Sequence, residues 1–324
     1  MNFITGNYKN FNELKKKSPS LKTLLGVGGW NEGSLKYSEM AASPVLRKNF
    51  IQSALQIIRD YDFNGIDIDW LYPNRRNSPH GQADKENFNL LLKEIKEEFN
   101  KFGLILVTAV AAHAYAVASS YDVPFIAAHV DYIYLMSYDL AGPWDMVTGH
   151  NAPLHKGEGL DESVDRNTLL TVDVAVERWL QAGCPPEKLV LSVPFFGHTF
   201  TLRSANENGV RAPVSGAGIN RGDIGYNELC NKLHTEHTPS WTERRDTLAK
   251  VPYAVRGVEW VSYDDLKSIR DKVAYATSKN LAGVSIWSID TDDFHDICGA
   301  GKFPLLTAIN NALNRNTASE EQTE

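Results

Sequence analysis

Cysteine is scarce, with three in 324 residues: Cys184, Cys230 and Cys298. None has the spacing of a metal-ligand motif, which excludes a zinc ribbon or finger. One disulfide with one free thiol and three reduced thiols both remain open. No run approaches the roughly 18 apolar residues that a membrane span needs. Basic residues are not in excess: 33 Lys and Arg stand against 40 Asp and Glu, a net charge of −7, which argues against nucleic acid as the main partner. The opening MNFITGNYKNFNELKKKSPS has no apolar stretch of the signal-peptide kind, and no N-x-S/T sequon hints at a secretory route. What is present is 43% hydrophobic and 23% charged, enough to bury the core of one large domain, or of one with an insertion.

Short apolar runs rich in β-branched residues alternate with longer segments of helical periodicity. The runs are Leu21–Gly29, Phe63–Trp70, Leu104–Ala112, Asp131–Asp139, Lys188–Gly197 and Leu281–Asp290. Between them lie PVLRKNFIQSALQIIRDY, DKENFNLLLKEIKEEFNKF, TVDVAVERWLQAG and YDDLKSIRDKVAYATSKN, which predict amphipathic helices. Such alternation implies an α/β fold with a parallel sheet, open or closed into a barrel. Trp30, Asp69, Asp139 and Trp287 fall at the C-terminal ends of runs, where barrels and doubly wound sheets place their sites.

The rhythm breaks from about Leu202 to Tyr263, a stretch rich in Gly, Pro and Asn with no clean βα unit. Its aromatics and its apolar VPYAV and VEWVSY runs suggest a small inserted domain rather than a long loop. The expected organisation is barrel over 1–201, an inserted α+β domain over 202–263, barrel again over 264–312, and a disordered polar tail over 313–324.

The stretch FNGIDIDWLYPNRR, Phe63 to Arg76, carries two acids in an apolar strand. Side chains alternate, so Gly65, Asp67, Asp69 and Leu71 share one face while Ile66, Ile68 and Trp70 share the other. The isoleucines suit packing against helices, which turns both aspartates inward. Unpaired buried carboxylates are costly, so the two must be hydrogen-bonded, protonated or coupled.

This stretch resembles the D-G-x-D-x-D-W-E-Y-P signature of family 18 glycoside hydrolases, the chitinases and chitinase-like proteins. The similarity extends to LLGVGGW, LMSYDLAGPWDMVTGHNAPL, SVPFFGHTFTL and GVSIWSIDTDDF, and runs from about Asn12 to Asn311. It implies a TIM-type (β/α)8 barrel with an inserted α+β domain, and a disulfide between Cys230 and Cys298. In the family the last inward residue of the signature is the glutamate that protonates the glycosidic oxygen. The substrate's own N-acetyl carbonyl then attacks the anomeric carbon, with the inner aspartates orienting it.

Departures from the pattern matter as much as the match. The resemblance places Leu71 at the acid position, Asn64 at the first signature aspartate, and Phe196 and His198 where Tyr and Arg are common. It leaves Asp67, Asp69 and Tyr138 as a catalytic remnant. Met136 and Asp139 would form an acetamido pocket with Tyr138. Trp287 would lie under a central sugar, and Trp30 and Trp144 under its neighbours, with Tyr72 nearby. Tyr226 and Arg245 from the insertion are further candidates. Such a lining suits pyranose rings, which offer apolar C–H faces to aromatic rings and hydroxyls to short polar groups.

Family members begin with two more strands than the six counted here. The resemblance therefore implies a barrel truncated to six strands, with apolar edges at Leu21–Gly29 and Leu281–Asp290. The expected partner is chitin or chito-oligosaccharide, with no nucleic acid, membrane, metal or cofactor, and an extracellular location. The function expected is that of a lectin without hydrolytic activity, because Leu71 replaces the acid. The alternatives are an active or weakly active chitinase, and a signalling or structural protein that binds a protein partner.

Overall fold

The structure, a computed structural model, describes residues 3–159, 169–235 and 240–314. The chain divides into two compact units. One takes in residues 1–111, 115–135 and 179–189, the other 112–114, 136–178 and 190–324.

The first unit carries α1 (Phe3–Asn12), α2 (Leu14–Lys17), β1 (Leu24–Gly28), α3 (Leu35–Ala42), α4 (Pro44–Tyr61), β2 (Gly65–Asp69), α5 (Ala83–Asn100), β3 (Ile105–Ala111), α6 (Ala114–Ser120), α7 (Val123–His129) and most of β4 (Tyr132–Met136). Its strands lie in the order β1-β2-β3-β4. Helix α4 begins where Ser43 caps the Leu46 amide and Pro44 takes the first turn, and it ends at Asp62 in the left-handed conformation. Its Ile51, Ala54, Leu55 and Ile58 are buried at helical spacing. Buried Arg47 on the same helix binds both carboxylate oxygens of Glu94 on α5, at 3.0 and 2.7 Å.

Strand β2 shows the predicted alternation. Ile66, Ile68 and Trp70 are buried, with Trp70 stacked on Tyr37 of α3 and edge-on to Phe88 of α5. The opposite face carries Asp67 and Asp69. At its start Gly65 pairs with Ile105, and a Cβ at Gly65 would lie 1.9 Å from the Ile105 carbonyl oxygen, so no larger residue fits there.

The second unit carries most of α8 (Val172–Gln181), β5 (Leu189–Pro194), β6 (Phe196–Leu202), β7 (Val214–Ala217), β8 (Asp223–Gly225), α9 (Tyr226–Thr235), β9 (Thr242–Asp246), β10 (Val251–Arg256), β11 (Glu259–Ser262), α10 (Leu266–Ser278), β12 (Gly283–Trp287) and α11 (Pro304–Ala312). Strand β12 pairs in parallel with β5. The inserted sheet is antiparallel, in the order β7-β6-β11-β10-β9 with β8 on β6. One of its faces packs Phe200, Leu202, Val214, Tyr253, Val255 and Trp260, and the other packs Ile224, Leu229, Trp241, Ala254, Val261 and Tyr263.

All six apolar runs contain a parallel strand. The run Lys188–Gly197 differs from its reading as one strand: β5 ends at Pro194, and from Phe196 the chain enters the antiparallel sheet as β6. Among the described residues, strands β1 and β12 each pair on one side only. Val27, Val284 and Ile286 are half-exposed on them. Of the predicted tail, 313–314 form a turn and 315–324 lie outside the described residues.

Candidate functional site

In the first unit the chemistry centres on Asp67 and Asp69. They lie two apart on β2 and share a hydrogen bond, and each leaves its Oδ1 buried with no partner among the described residues. Burial drives the Asp67 carboxyl well above its usual range, helped by the charge of Asp69. Burial also raises Asp69 to about 6, against the lowering effect of its bonds to Asp67 and the Ala109 amide. Both carboxyls are thus shifted toward the protonated form, and the two titrate as a pair rather than singly. Tyr134 on β4 belongs to this group: burial first, then the Asp67 charge, pushes its phenol up to about 12.

Past the strand, Leu71 is buried and Tyr72 half-buried. The segment after β2 is stitched to the one after β1. Ser34 donates to the Tyr72 carbonyl at 2.9 Å and receives the Trp70 indole N–H at 3.1 Å, and the Ser34 amide donates to the Asn77 side chain. Trp30 is 59% exposed and carries the Arg76 guanidinium on its ring, with Cζ 4.0 Å from the centroid.

In the second unit the group centres on Asp139, Trp144 and His198. Asp139 sits just past β4 with a positive φ of 56°, and its amide donates to the Asn151 side chain at 2.7 Å. The Asn151 amide group in turn donates to the Phe196 carbonyl at 3.1 Å, which ties the β4 loop to the start of β6. The buried His198 ring places Nε2 2.9 Å from Asp139 and Nδ1 2.8 Å from Asp223. Burial pulls its pKa down, but the hydrogen bonds to the two carboxylates outweigh this and raise it to about 9. Trp144 is 60% exposed and edge-on to His198 at 5.1 Å, and Tyr138 is edge-on to Phe196 at 5.6 Å. Met136 is half-buried at the end of β4. His113 lies among the same charges: burial, then Arg178, lowers its pKa, while Asp139 and Asp145 oppose this.

Trp287 ends β12 and is 58% exposed. Tyr226 opens α9 half-buried, its phenol pushed up to about 12 by burial and by nearby carboxylates, Asp265 foremost. Arg245 binds the Asp265 carboxylate, which also caps α10, and donates to the Lys250 carbonyl at 3.3 Å. Cys230 and Cys298 form a disulfide, and Cys184 is free and buried. Asp293 places an oxygen beside the two bridged sulfurs, but a disulfide leaves no thiolate to hold a metal.

The sequence-based candidates thus fall into two groups. Asp67, Asp69, Leu71, Tyr72 and Trp30 belong to the first unit. Met136, Tyr138, Asp139, Trp144, Tyr226, Arg245 and Trp287 belong to the second. Sequence reading missed Tyr134, Arg76, Asn151 and Asp223, and took His198 only as a departure from a family pattern. Strand alternation could have found Tyr134, two residues before Met136. No local signal marks Asp223.

Parallel strands alternating with helices, acids at their C-terminal ends and an inserted antiparallel sheet define a TIM-type α/β protein. Residues 2–292 match the Glycosyl hydrolases family 18, and the chain belongs to that family. It is 39% identical over 322 residues to mouse chitotriosidase-1, covering 95% of this chain and 66% of that protein, so it spans just under two thirds of that relative's length. A crystal structure of the Ostrinia furnacalis group IV chitinase matches with a TM-score of 0.93 and 52% identity over 96% of this chain and 85% of that one. Human YKL-39, described as a pseudo-chitinase with retained chitooligosaccharide binding properties, matches at 36% identity and a TM-score of 0.86, over 95% and 84% of the two chains.

Proposed function

We propose that this protein binds N-acetylglucosamine oligomers and does not hydrolyse them. The observation that carries the reading is Leu71: the residue two past Asp69 is a buried alkyl side chain, at the position where the family motif puts its proton donor. In substrate-assisted cleavage the acetamido oxygen attacks the anomeric carbon while an acid protonates the leaving oxygen. By the family motif, Asp67 and Asp69 in the first unit, and Tyr138 with Met136 and Asp139 in the second, are the candidates to orient the acetamido group. Leucine cannot perform the second task, and losing a general acid removes roughly 10²–10⁴ of rate. Trp30, Trp144 and Trp287, each more than half exposed, are free to stack on pyranose faces, with Tyr72, Tyr226 and Arg245 as lesser contacts. The Cys230–Cys298 disulfide suits an oxidising, extracellular location.

A second reading, weak chitinase activity, is favoured by the proton that Asp69 holds up to about pH 6. Such activity would rise below pH 6 and vanish in Asp69→Asn. One experiment separates these readings: a fluorogenic chito-oligosaccharide assay across pH 4–8, with binding followed by tryptophan fluorescence. The expected result is binding without release of fluorophore, with some release in Leu71→Glu. Release by the wild type would overturn the lectin reading. Failure to bind even at millimolar sugar would leave a protein partner as the function to pursue.

A further inference from the structure

Trp30 and Arg76 form one object in the first unit. Trp30 follows β1 and is 59% exposed. Arg76 follows β2 and sets its guanidinium carbon 4.0 Å from the indole centroid. The same guanidinium donates from Nη1 to the carbonyl oxygen of Trp30 itself and, at 3.4 Å, to that of Leu71. A cation held by the backbone past β2 therefore lies against one face of the indole, while Trp30 as a residue stays 59% exposed. The backbone is bent to allow this. Asn74 and Arg76 both sit at positive φ, 59° and 62°, a region that non-glycine residues enter at a cost. The Asn74 side chain is anchored to the Ser119 carbonyl at 3.2 Å, so the bend is fixed on its far side as well.

We propose that Arg76 is a positioning residue for Trp30: it covers one face of the indole, fixes the ring, and leaves the other for the apolar side of a pyranose. This role rests on the chito-oligosaccharide reading above. A tryptophan free to rotate loses side-chain freedom when a sugar stacks on it, and that loss weakens binding. A ring already clamped by a guanidinium has lost that freedom on folding. Lysine would supply charge without the planar stack or the fork of donors, so it should not substitute fully.

The test uses the full chain and chitopentaose, titrated calorimetrically into wild type, Arg76→Ala, Arg76→Lys, Trp30→Ala and the Trp30→Ala/Arg76→Ala double variant. Arg76→Ala should weaken binding about three- to tenfold, Arg76→Lys less, and the double variant should bind no worse than Trp30→Ala alone. Unchanged affinity in Arg76→Ala, or a loss of equal size in the Trp30→Ala background, would overturn the role. Tighter binding would overturn it too, since the guanidinium would then block the ring. A second readout needs no sugar. Quenching of Trp30 by neutral acrylamide, taken as the difference between each protein and its Trp30→Phe partner, should increase in Arg76→Ala, and no increase would overturn the clamp. If the wild type binds no chitopentaose, the functional reading fails and the sugar role of Arg76 with it, while quenching still reports whether the ring is held.

Discussion

The Nε2 of His198 lies 2.9 Å from Oδ1 of Asp139, so a buried ring on the inserted sheet holds the carboxylate that follows β4. Its other nitrogen faces Asp223, and the ring carries a proton to about pH 9. The folded value is raised above the free value of 6.5, so the stability this contributes is complete below about pH 6.5 and is lost as pH rises through 9. Because the two carboxylates are 51% and 71% exposed, solvent screening reduces the contribution to about 2 kcal/mol. Thermal melts of the wild type should therefore fall in midpoint between pH 7 and 10 more steeply than those of His198→Gln. Equal slopes would show that the ring does not hold this proton.

Asp67 and Asp69 work in the opposite sense to an ordinary surface acid. Both are raised, chiefly by burial, so the folded protein holds on to protons that the unfolded chain has released. Stability on this account is greatest below about pH 4 and declines as pH rises through about 6, where Asp69 titrates. Asp67→Asn removes the charge and keeps the shape. It should stabilise the protein at pH 7.5 and change its stability by almost nothing at pH 4, read from urea melts. Destabilisation at both values would mean that the pair is held by bonds which the amide cannot make.

The aromatic residues do not sort by burial. A barrel-centre position would lead one to expect Trp287 to be better shielded than a rim residue, yet Trp287 and Trp30 are 58% and 59% exposed. Each has a similar area to lose to a stacked sugar. Trp287→Ala and Trp30→Ala are therefore expected to weaken chitopentaose binding by comparable amounts, about 1–2 kcal/mol each. Calorimetric titration of the two variants decides this. A loss confined to Trp287 would restore the central position as the dominant cause.

Local pattern carried much of this structure. Helix α4 spans Pro44–Tyr61, the segment read from its apolar spacing, because Ser43, Pro44 and Asp62 mark both ends in the local chain. The face division of β2 followed from alternation alone. The break at Phe195 did not, since Leu189–Pro194 and Phe196–Leu202 have the same β-forming character and only their partners differ, β12 in parallel for one and β11 in antiparallel for the other. The cluster around His198 was equally hidden: Asp139 is 59 residues away in sequence. An ion pair of that span leaves no periodic trace. Arg76 was invisible for a different reason: it lies past the end of β2, at a positive φ, where strand alternation gives no direction for a side chain.

Lys272, on α10, has a fully buried side chain. Its ammonium meets Asp264 at 2.5 Å, and Asp264 also receives the Ser268 hydroxyl at 2.7 Å. Burial lowers the Lys272 pKa even against the pull of Asp264, so desolvation outweighs attraction at this site. Removing only the cation leaves a carboxylate in the interior with one hydroxyl to satisfy it. Lys272→Met is therefore expected to cost about 3–5 kcal/mol in urea melts. The Asp264→Asn/Lys272→Met double variant takes both charges out of the interior and should recover more than half of that loss. If the double variant is no more stable than the single one, the pair does more than neutralise a buried charge, and its geometry, with Asp264 preceding the α10 cap Asp265, would be what the fold requires.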